Sequence, residues 1–448
     1  MMQMSLHDIA SVLSAEMTGD DVRIDGVSIN TRTLSPGNLF VGLNGSRARG
    51  SQFLPQATEA GAAAALLDES ADGAIPTLVV NDTLSALQQL SVYWRNQFSP
   101  KVIAVTGSNG KTTMRSLIEA CMGEHCLATT GNYNNHIGVP LMLLRLGDNH
   151  QSAVFELGAN HAGEIAEMTS WVRPDISIIT NAGPAHLEGF GSLDGVANAK
   201  GEIFASLNAS GTAIINADDQ YAPLWHELAS PARTYTFGSG DHADFWFSDR
   251  RAAPGSQSFD LHTPAGQVNL TLKLDGEHNV MNACGAAAVA FAADVSLPQI
   301  AAGLAGVDAE PGRQRVCEGI NGSKIFDDSY NANPASMRAA AEMLAAQTSP
   351  SWMVVGDMGE LGEDSHELHR ACGVAIREAG IERLFAFGEQ SRSTANGFGK
   401  SAEHFEEIDA LIAALKSVLH ERVNLLVKGS RSMRMERVVD ALTSGGLH

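Results

Sequence analysis

Cysteine, proline, aromatic residues and basic charge are all scarce in this chain, and each shortage closes off an interpretation. Five cysteines in 448 residues, odd in number and scattered, exclude a disulfide-built scaffold. Cys121 and Cys126 lie close together with no second pair to complete a zinc site. Reduced, packed thiols are therefore expected at Cys121, Cys126, Cys284, Cys317 and Cys372. Fifteen prolines against 44 glycines argue for tight strand–helix turns rather than proline-rich linkers. The longest apolar runs, residues 62–67 and 286–293, fall far short of the ~20 residues that cross a bilayer, so no membrane insertion is expected. The opening MMQMSLHDIASVL has no basic start and carries Asp8 inside its apolar stretch; it does not read as a signal peptide, and a cytoplasmic protein is expected. Thirty Lys and Arg against 51 Asp and Glu give a net charge of −21. That balance excludes non-specific binding to nucleic acid or an anionic membrane as the main activity. An anionic ligand has to be held by a local arrangement working against the overall field.

What is present is enough apolar material, 44% of residues, for well-formed cores. The length suggests two to four domains. Residues 1–80 mix short β-like runs (21–29, 38–43 and 77–80) with an alanine-rich stretch near 53–67 that reads as a helix. TLSALQQLSVYWRNQF has helical spacing and leads into the next segment. From Lys101 a strand–turn–helix rhythm begins: KVIAVTGSNGKTT, SAVFELGAN, PDISIITNAG and GTAIINADD, each but the last followed by a helical stretch. Continuous apolar strands alternating with helices predict a parallel sheet covered on both faces. Residues 234–274 look antiparallel, and GEHNVMNACGAAAVAFAADV returns to helix. After Pro311-Gly312-Arg313 a second such series runs through KIFDDSYNANP, SWMVVGDMG, ERLFAFGE and NLLVKGSR. The reading is an α/β protein of three domains, 1–80, 81–311 and 312–448.

Gly107-Ser108-Asn109-Gly110-Lys111-Thr112-Thr113 sits between a β-branched run and a helix expected from Met114. Glycines let successive backbone N–H groups face one concavity, and the helix N-terminus adds its partial positive charge. Lys111 would reach the β- and γ-phosphates and the Thr112 hydroxyl would ligate Mg²⁺. Position 105 is Val where the longer phosphate-loop pattern has Gly, so the match is to a shorter form. Between residues 99 and 312 there are 22 acidic and 10 basic side chains, which makes Mg²⁺ the natural mediator between carboxylates and phosphate. Glu156 ends the run SAVFELGAN at the carboxyl edge where such sheets place ligands; it is a candidate Mg²⁺ ligand or an acidic group serving the next helix. His186, after the following strand, is a second candidate at that edge. Lys200 lies in a helical stretch where most lysines are simply solvated. Asn279 either contacts a nucleotide or caps its helix.

Eight blocks in order, TGSNGKTT, TTGNYNNHIGVP, FELGANHAGEI, NAGPAHLEGFGS, NAKGEIF, GEHNVMNACGAA, DDSYNANPASM and VKGSRSMRME, resemble the Mur ligase family, whose phosphate loop has the same short form. The resemblance implies a UDP-binding N-terminal domain, a central P-loop ATPase built on a doubly wound sheet, and a Rossmann-like C-terminal domain. It implies a ligase using ATP and two Mg²⁺ ions, with Glu156 and His186 as metal ligands and Lys200 carrying a CO₂-derived carbamate. Asn279, Arg313, Asp328 and Asn331 would approach the nucleotide, Asn134 and Asn135 the substrate or its phosphates, and Ser28 and Arg32 the uridine diphosphate. YNANP with NYNNHIGVP, and no D-N-P-R tetrapeptide, favour the branch that adds D-alanyl-D-alanine to UDP-N-acetylmuramoyl-tripeptide. A sister ligase, a folate polyglutamylating ligase and, more remotely, a P-loop switch are the rival readings. A monomer is expected.

Overall fold

The computed structural model describes residues 1–443 except positions 47, 72, 185, 186, 254, 348 and 349, and at 363 the backbone alone. Three larger sheets follow one another along the chain. The N-terminal one has five short strands in the spatial order 16–18, 77–79, 64–67, 39–41, 27–28, parallel except at its first edge. Here the structure corrects the sequence reading. Helix covers only Leu54–Glu59, and Gly61 with φ +89° turns the chain. Ala64–Leu67 is a strand with every residue buried. A short apolar run with no polar face fits a strand buried on both sides as well as a helix, and tertiary pairing decides.

The central sheet has six parallel strands. The strand Lys101–Thr106 lies between Ser152–Glu156 on one side and Ile176–Ile179 on the other. From it the chain builds outward first in one direction and then in the other, so a crevice opens at the carboxyl end of Lys101–Thr106. Alternation along that strand sorts the two cores. Ile103 and Val105 pack with the helices Lys111–Met122 and Glu277–Ala292, whereas Val102 and Ala104 pack with the layer holding Glu164–Val172 and Leu193–Gly201. Each such fully buried Val or Ile stabilises the fold by about 1.5–3 kcal/mol. Arg233–Phe237 joins this sheet as a parallel edge. The antiparallel reading of 234–274 therefore holds only from Trp246, where a three-stranded sheet begins.

The C-terminal sheet has the order 315–318, 324–328, 424–428, 351–356, 383–387, 402–405, parallel apart from its first strand. Its junction with the central unit is short. Glu310 is bonded to Arg115 and Ser116 of the helix Lys111–Met122. Gly312 N–H donates to Asp327 (2.8 Å) and its carbonyl accepts from Tyr330 N–H (3.1 Å). Only Pro311 separates a residue held by one unit from a residue held by the other. Among the described residues no helix is long and apolar enough to cross a membrane, and all five cysteines are free. Burial pushes the Cys121 thiol up to about 12 and raises that of Cys284 as well.

Candidate functional site

The turn Gly107–Gly110 leaves the strand Lys101–Thr106 and enters the helix at Lys111, three residues earlier than the sequence suggested. Lys111, Thr112 and Thr113 form the first helical turn, with Gly110 at φ +78° before it. Gly107 has φ +145°, and a Cβ there would lie 1.9 Å from Thr180 Oγ1. Residues after the neighbouring strand clamp the turn. Thr180 Oγ1 donates to the Asn109 carbonyl (2.6 Å), Asn109 N–H donates to Asn181 Oδ1 (3.0 Å), and Ser108 N–H donates to the Asn181 carbonyl (3.0 Å). Lys111 Nζ folds back to donate to the Gly107 carbonyl at 2.8 Å. Burial lowers the pKa of its ammonium; Glu156 opposes the shift and Arg313 adds to it.

Glu156, only 3% exposed, ends its strand beside the helix. Its carboxylate accepts from Thr112 Oγ1 (3.0 Å) and from Asn134 Nδ2 (2.8 Å). The nearby Lys111 ammonium donates to the Gly107 carbonyl, and two neutral donors do not by themselves balance a buried charge. A cation among Thr112, Glu156 and a phosphate oxygen would, so these residues fit Mg²⁺. Among the described residues no three His, Cys, Asp or Glu side chains group as a metal centre. An ion here would take few protein oxygens and complete its shell with phosphate and water, as Mg²⁺ commonly does.

These residues line one cavity of about 660 Å³ that also takes in Asn279, Arg313, Asp328 and Asn331. The structure thus brings together most of the nucleotide-side residues expected from the sequence. Asn135 lines the cavity too, but its Oδ1 already accepts from Ile137 and Gly138 N–H, at 3.1 and 2.9 Å. Asn279 donates to the Asp275 carbonyl (2.7 Å) and accepts from Asn282 (3.2 Å). Ser28 and Arg32 sit elsewhere, at and just beyond the strand 27–28 of the N-terminal sheet; Ser28 Oγ bonds the Asn30 carbonyl at 3.1 Å. His186 lies outside the described residues. Lys200 is 1% exposed, with Nζ 5.2 Å from the centre of the Phe190 ring. Burial, and then the nearby Lys111 ammonium, bring its pKa down to about 7.

Sequence reasoning missed the contributions of the C-terminal unit beyond Arg313, Asp328 and Asn331. Lys428 Nζ pairs with Asp328 at 2.6 Å, on adjacent strand ends. Burial raises the Asp328 carboxyl above the usual range, while Lys428 opposes the shift. Tyr330 lies under the Arg313 guanidinium, 4.2 Å from ring centre to Cζ. Asn333 Nδ2 donates to Asn109 Oδ1 at 2.7 Å, joining the C-terminal unit to the phosphate turn. The pattern Asn-x-x-Ser at 333–336 signals a helix cap, but not that contact.

Family models match in three consecutive stretches. These are the Mur ligase family, catalytic domain, over residues 23–98, the Mur ligase middle domain over 105–290, and the Mur ligase, glutamate ligase domain, over 312–431. A UDP-N-acetylmuramoyl-tripeptide–D-alanyl-D-alanine ligase of Escherichia coli K12 is 42% identical, with both chains fully covered. One from Bacillus subtilis 168 is 34% identical, again over 100% of each chain. Among solved structures, a MurF from Acinetobacter baumannii superposes with TM-score 0.91 at 34% identity, over 98% of each chain. A MurF from Thermotoga maritima in complex with ADP gives 0.81 at 26% identity, over 93% of this chain and 96% of that one.

Proposed function

From the premise that this chain belongs to the Mur ligase family, we infer that it is an ATP-dependent ligase joining D-alanyl-D-alanine to UDP-N-acetylmuramoyl-tripeptide in peptidoglycan precursor synthesis. The observation that carries the reading is the single cavity in which a phosphate turn, Lys111, Thr112 and buried Glu156 face residues of a second sheet unit. Agreement in name and fold with relatives that align end to end supports the choice of acceptor. In this reading residues 1–80 bind the UDP portion, with Ser28 and Arg32 near it, 81–311 bind ATP, and 312–448 close over both and present the dipeptide.

The chemistry follows from the problem of making an amide from a carboxylate in water. The terminal carboxylate of the tripeptide attacks the γ-phosphorus, the bond to the β-phosphate oxygen breaks, and ADP leaves with that electron pair. The dipeptide amine then attacks the acyl carbon, and phosphate departs as the amine proton is lost. The first step pushes one anion onto another, and two unit charges at ~4 Å cost about 4 kcal/mol at an effective dielectric of ~20. Lys111 and the N–H groups of the turn offset that repulsion and align the phosphates. Bound Mg²⁺ would add charge neutralisation at the phosphate oxygens, with Thr112 and Glu156 as holders and His186 as a third. A carbamate on Lys200 is part of the proposal. Only a neutral amine adds CO₂, and a lysine with a pKa of about 7 is half neutral at that pH. Asn279, Arg313, Asp328 and Asn331 form the nucleotide side, with Asn134 and Asn135 toward the substrate. We take the protein to act as a monomer in the cytoplasm, which supplies ATP.

An acceptor screen tests the proposal. With ATP, Mg²⁺ and UDP-N-acetylmuramoyl-tripeptide, the mass of the UDP product should grow by one D-alanyl-D-alanine less water. Growth with single amino acids but not the dipeptide would point to a sister ligase. Phosphate release without either substrate would point to a switch.

A further inference from the structure

Resting on the ligase reading above, we propose that Asn333 is a positioning residue for phosphoryl transfer: its hydrogen bond to Asn109 locks the C-terminal unit onto the phosphate turn. The polar groups of Asn333 each have a defined assignment. Asn333 is the N-cap of the helix Pro334–Ala345. Its Oδ1 accepts from Ser336 N–H at 2.9 Å and its own N–H donates to Ser336 Oγ at 3.0 Å, a reciprocal capping box. The acceptor is thereby committed to the helix, and Nδ2 is the group that donates to Asn109 Oδ1 at 2.7 Å. On the other side, Asn109 has its backbone fixed by Thr180 and Asn181, so its side-chain amide is what the turn offers across the junction.

Three features suit this bond to the task. The capping box ties the Asn333 side chain to the helix axis, so the bond senses where the whole helix sits rather than where one rotamer points. Ala335, Ser336 and Ala339 of the same helix line the cavity, so seating the helix shapes the cavity wall. The pair also carries no ionised group, so forming it buries no charge beside the phosphates. With Glu310 held by the central unit and Gly312 by the C-terminal one, rotation about the junction has to make or break this contact.

The test is a double-mutant cycle on the full chain, read in steady-state ligation. Asn333→Ser keeps a capping oxygen of equal quality but is too short to reach Asn109, and Asn109→Ala removes the partner. Asn333→Ser should lower kcat about five-fold, the worth of one neutral hydrogen bond, and Asn109→Ala by at least as much, with KM for UDP-N-acetylmuramoyl-tripeptide unchanged. Asn109 also lines the cavity proposed for the nucleotide, so the coupling is what isolates the pair: the double variant should be no slower than the slower single one. Multiplying effects, or wild-type kcat in Asn333→Ser, overturn the proposal. Should Asn333→Ser not fold, small-angle scattering of Asn109→Ala with ADP and the UDP substrate decides. A radius of gyration above that of liganded wild type supports the lock, and an equal radius removes it. A wild type that yields no ligation product defeats the ligase reading itself. One that ligates while both variants keep pace defeats the lock alone.

Discussion

Lys200 shows what burial does to a single side chain. Its ordinary pKa of 10.5 falls to about 7 because the ammonium lies out of water and near Lys111. The unfolded chain keeps that proton until about pH 10, whereas the folded protein releases it near neutrality. The cost to the fold is therefore largest below pH 7 and fades as pH rises toward the free-lysine value. In buffer stripped of CO₂, Lys200→Met should raise the melting temperature by at least ~3 °C at pH 6, and the gain should shrink toward pH 10. A gain independent of pH would mean that packing, not charge, was responsible. If Lys200 also serves catalysis, the same variant loses ligation at every pH. Glu156→Gln keeps the shape, an acceptor oxygen for Asn134 and an amide N–H from which the Thr112 hydroxyl can accept, but no negative charge. It should fold normally, lower kcat by ~100-fold or more and flatten the dependence on Mg²⁺, as read by ADP release. Lys111, Thr112 and Glu156 were legible in sequence because one turn and one strand end hold them in local patterns. Asn333 and Lys428 were not, because their partners lie in a different sheet unit or on a strand one hundred positions away.

At the scale of elements, the phosphate turn is set by a glycine that no other residue can replace without strain. Gly107→Ala would drive a methyl group into Thr180 and shift the turn off its clamp. Nucleotide affinity measured by calorimetry should fall at least ~10-fold, consistent with the 1–3 kcal/mol of backbone strain at such sites. The strand pair 324–328 and 424–428 carries a second sensitivity. Asp328→Asn leaves Lys428 buried without its anion, and urea unfolding of the C-terminal unit should weaken by about 3 kcal/mol. The helix Thr83–Arg95 was readable from its spacing, and the strands from Lys101 from β-branched runs set between glycine turns and helical stretches. The run at 62–67 was misread because alanine and leucine buried on both faces leave no period to distinguish strand from helix. The start of the phosphate helix was placed too late because Lys111-Thr112-Thr113 looks like loop chemistry, although those residues form the first turn.

For the whole molecule, the central and C-terminal sheet units share one functional cavity, and their relative placement is the part that sequence could not supply. Hydrophobic periodicity specifies each sheet's own core, but the central and C-terminal units meet through polar contacts such as Asn333 with Asn109 and Glu310 with Arg115, which leave no repeating trace. Scattering with ADP and UDP substrate together should give a smaller radius of gyration than the free protein; identical curves would argue against closure. The junction at Pro311 has a mechanical consequence. A joint one residue long would work as an axle rather than a tether: with no slack in the chain, any rotation of the C-terminal half is delivered to the place where the two asparagines meet. Two glycines inserted after Pro311 should leave both halves folded and nucleotide binding near normal, yet slow ligation several-fold, because a loosened axle no longer returns to the same stop.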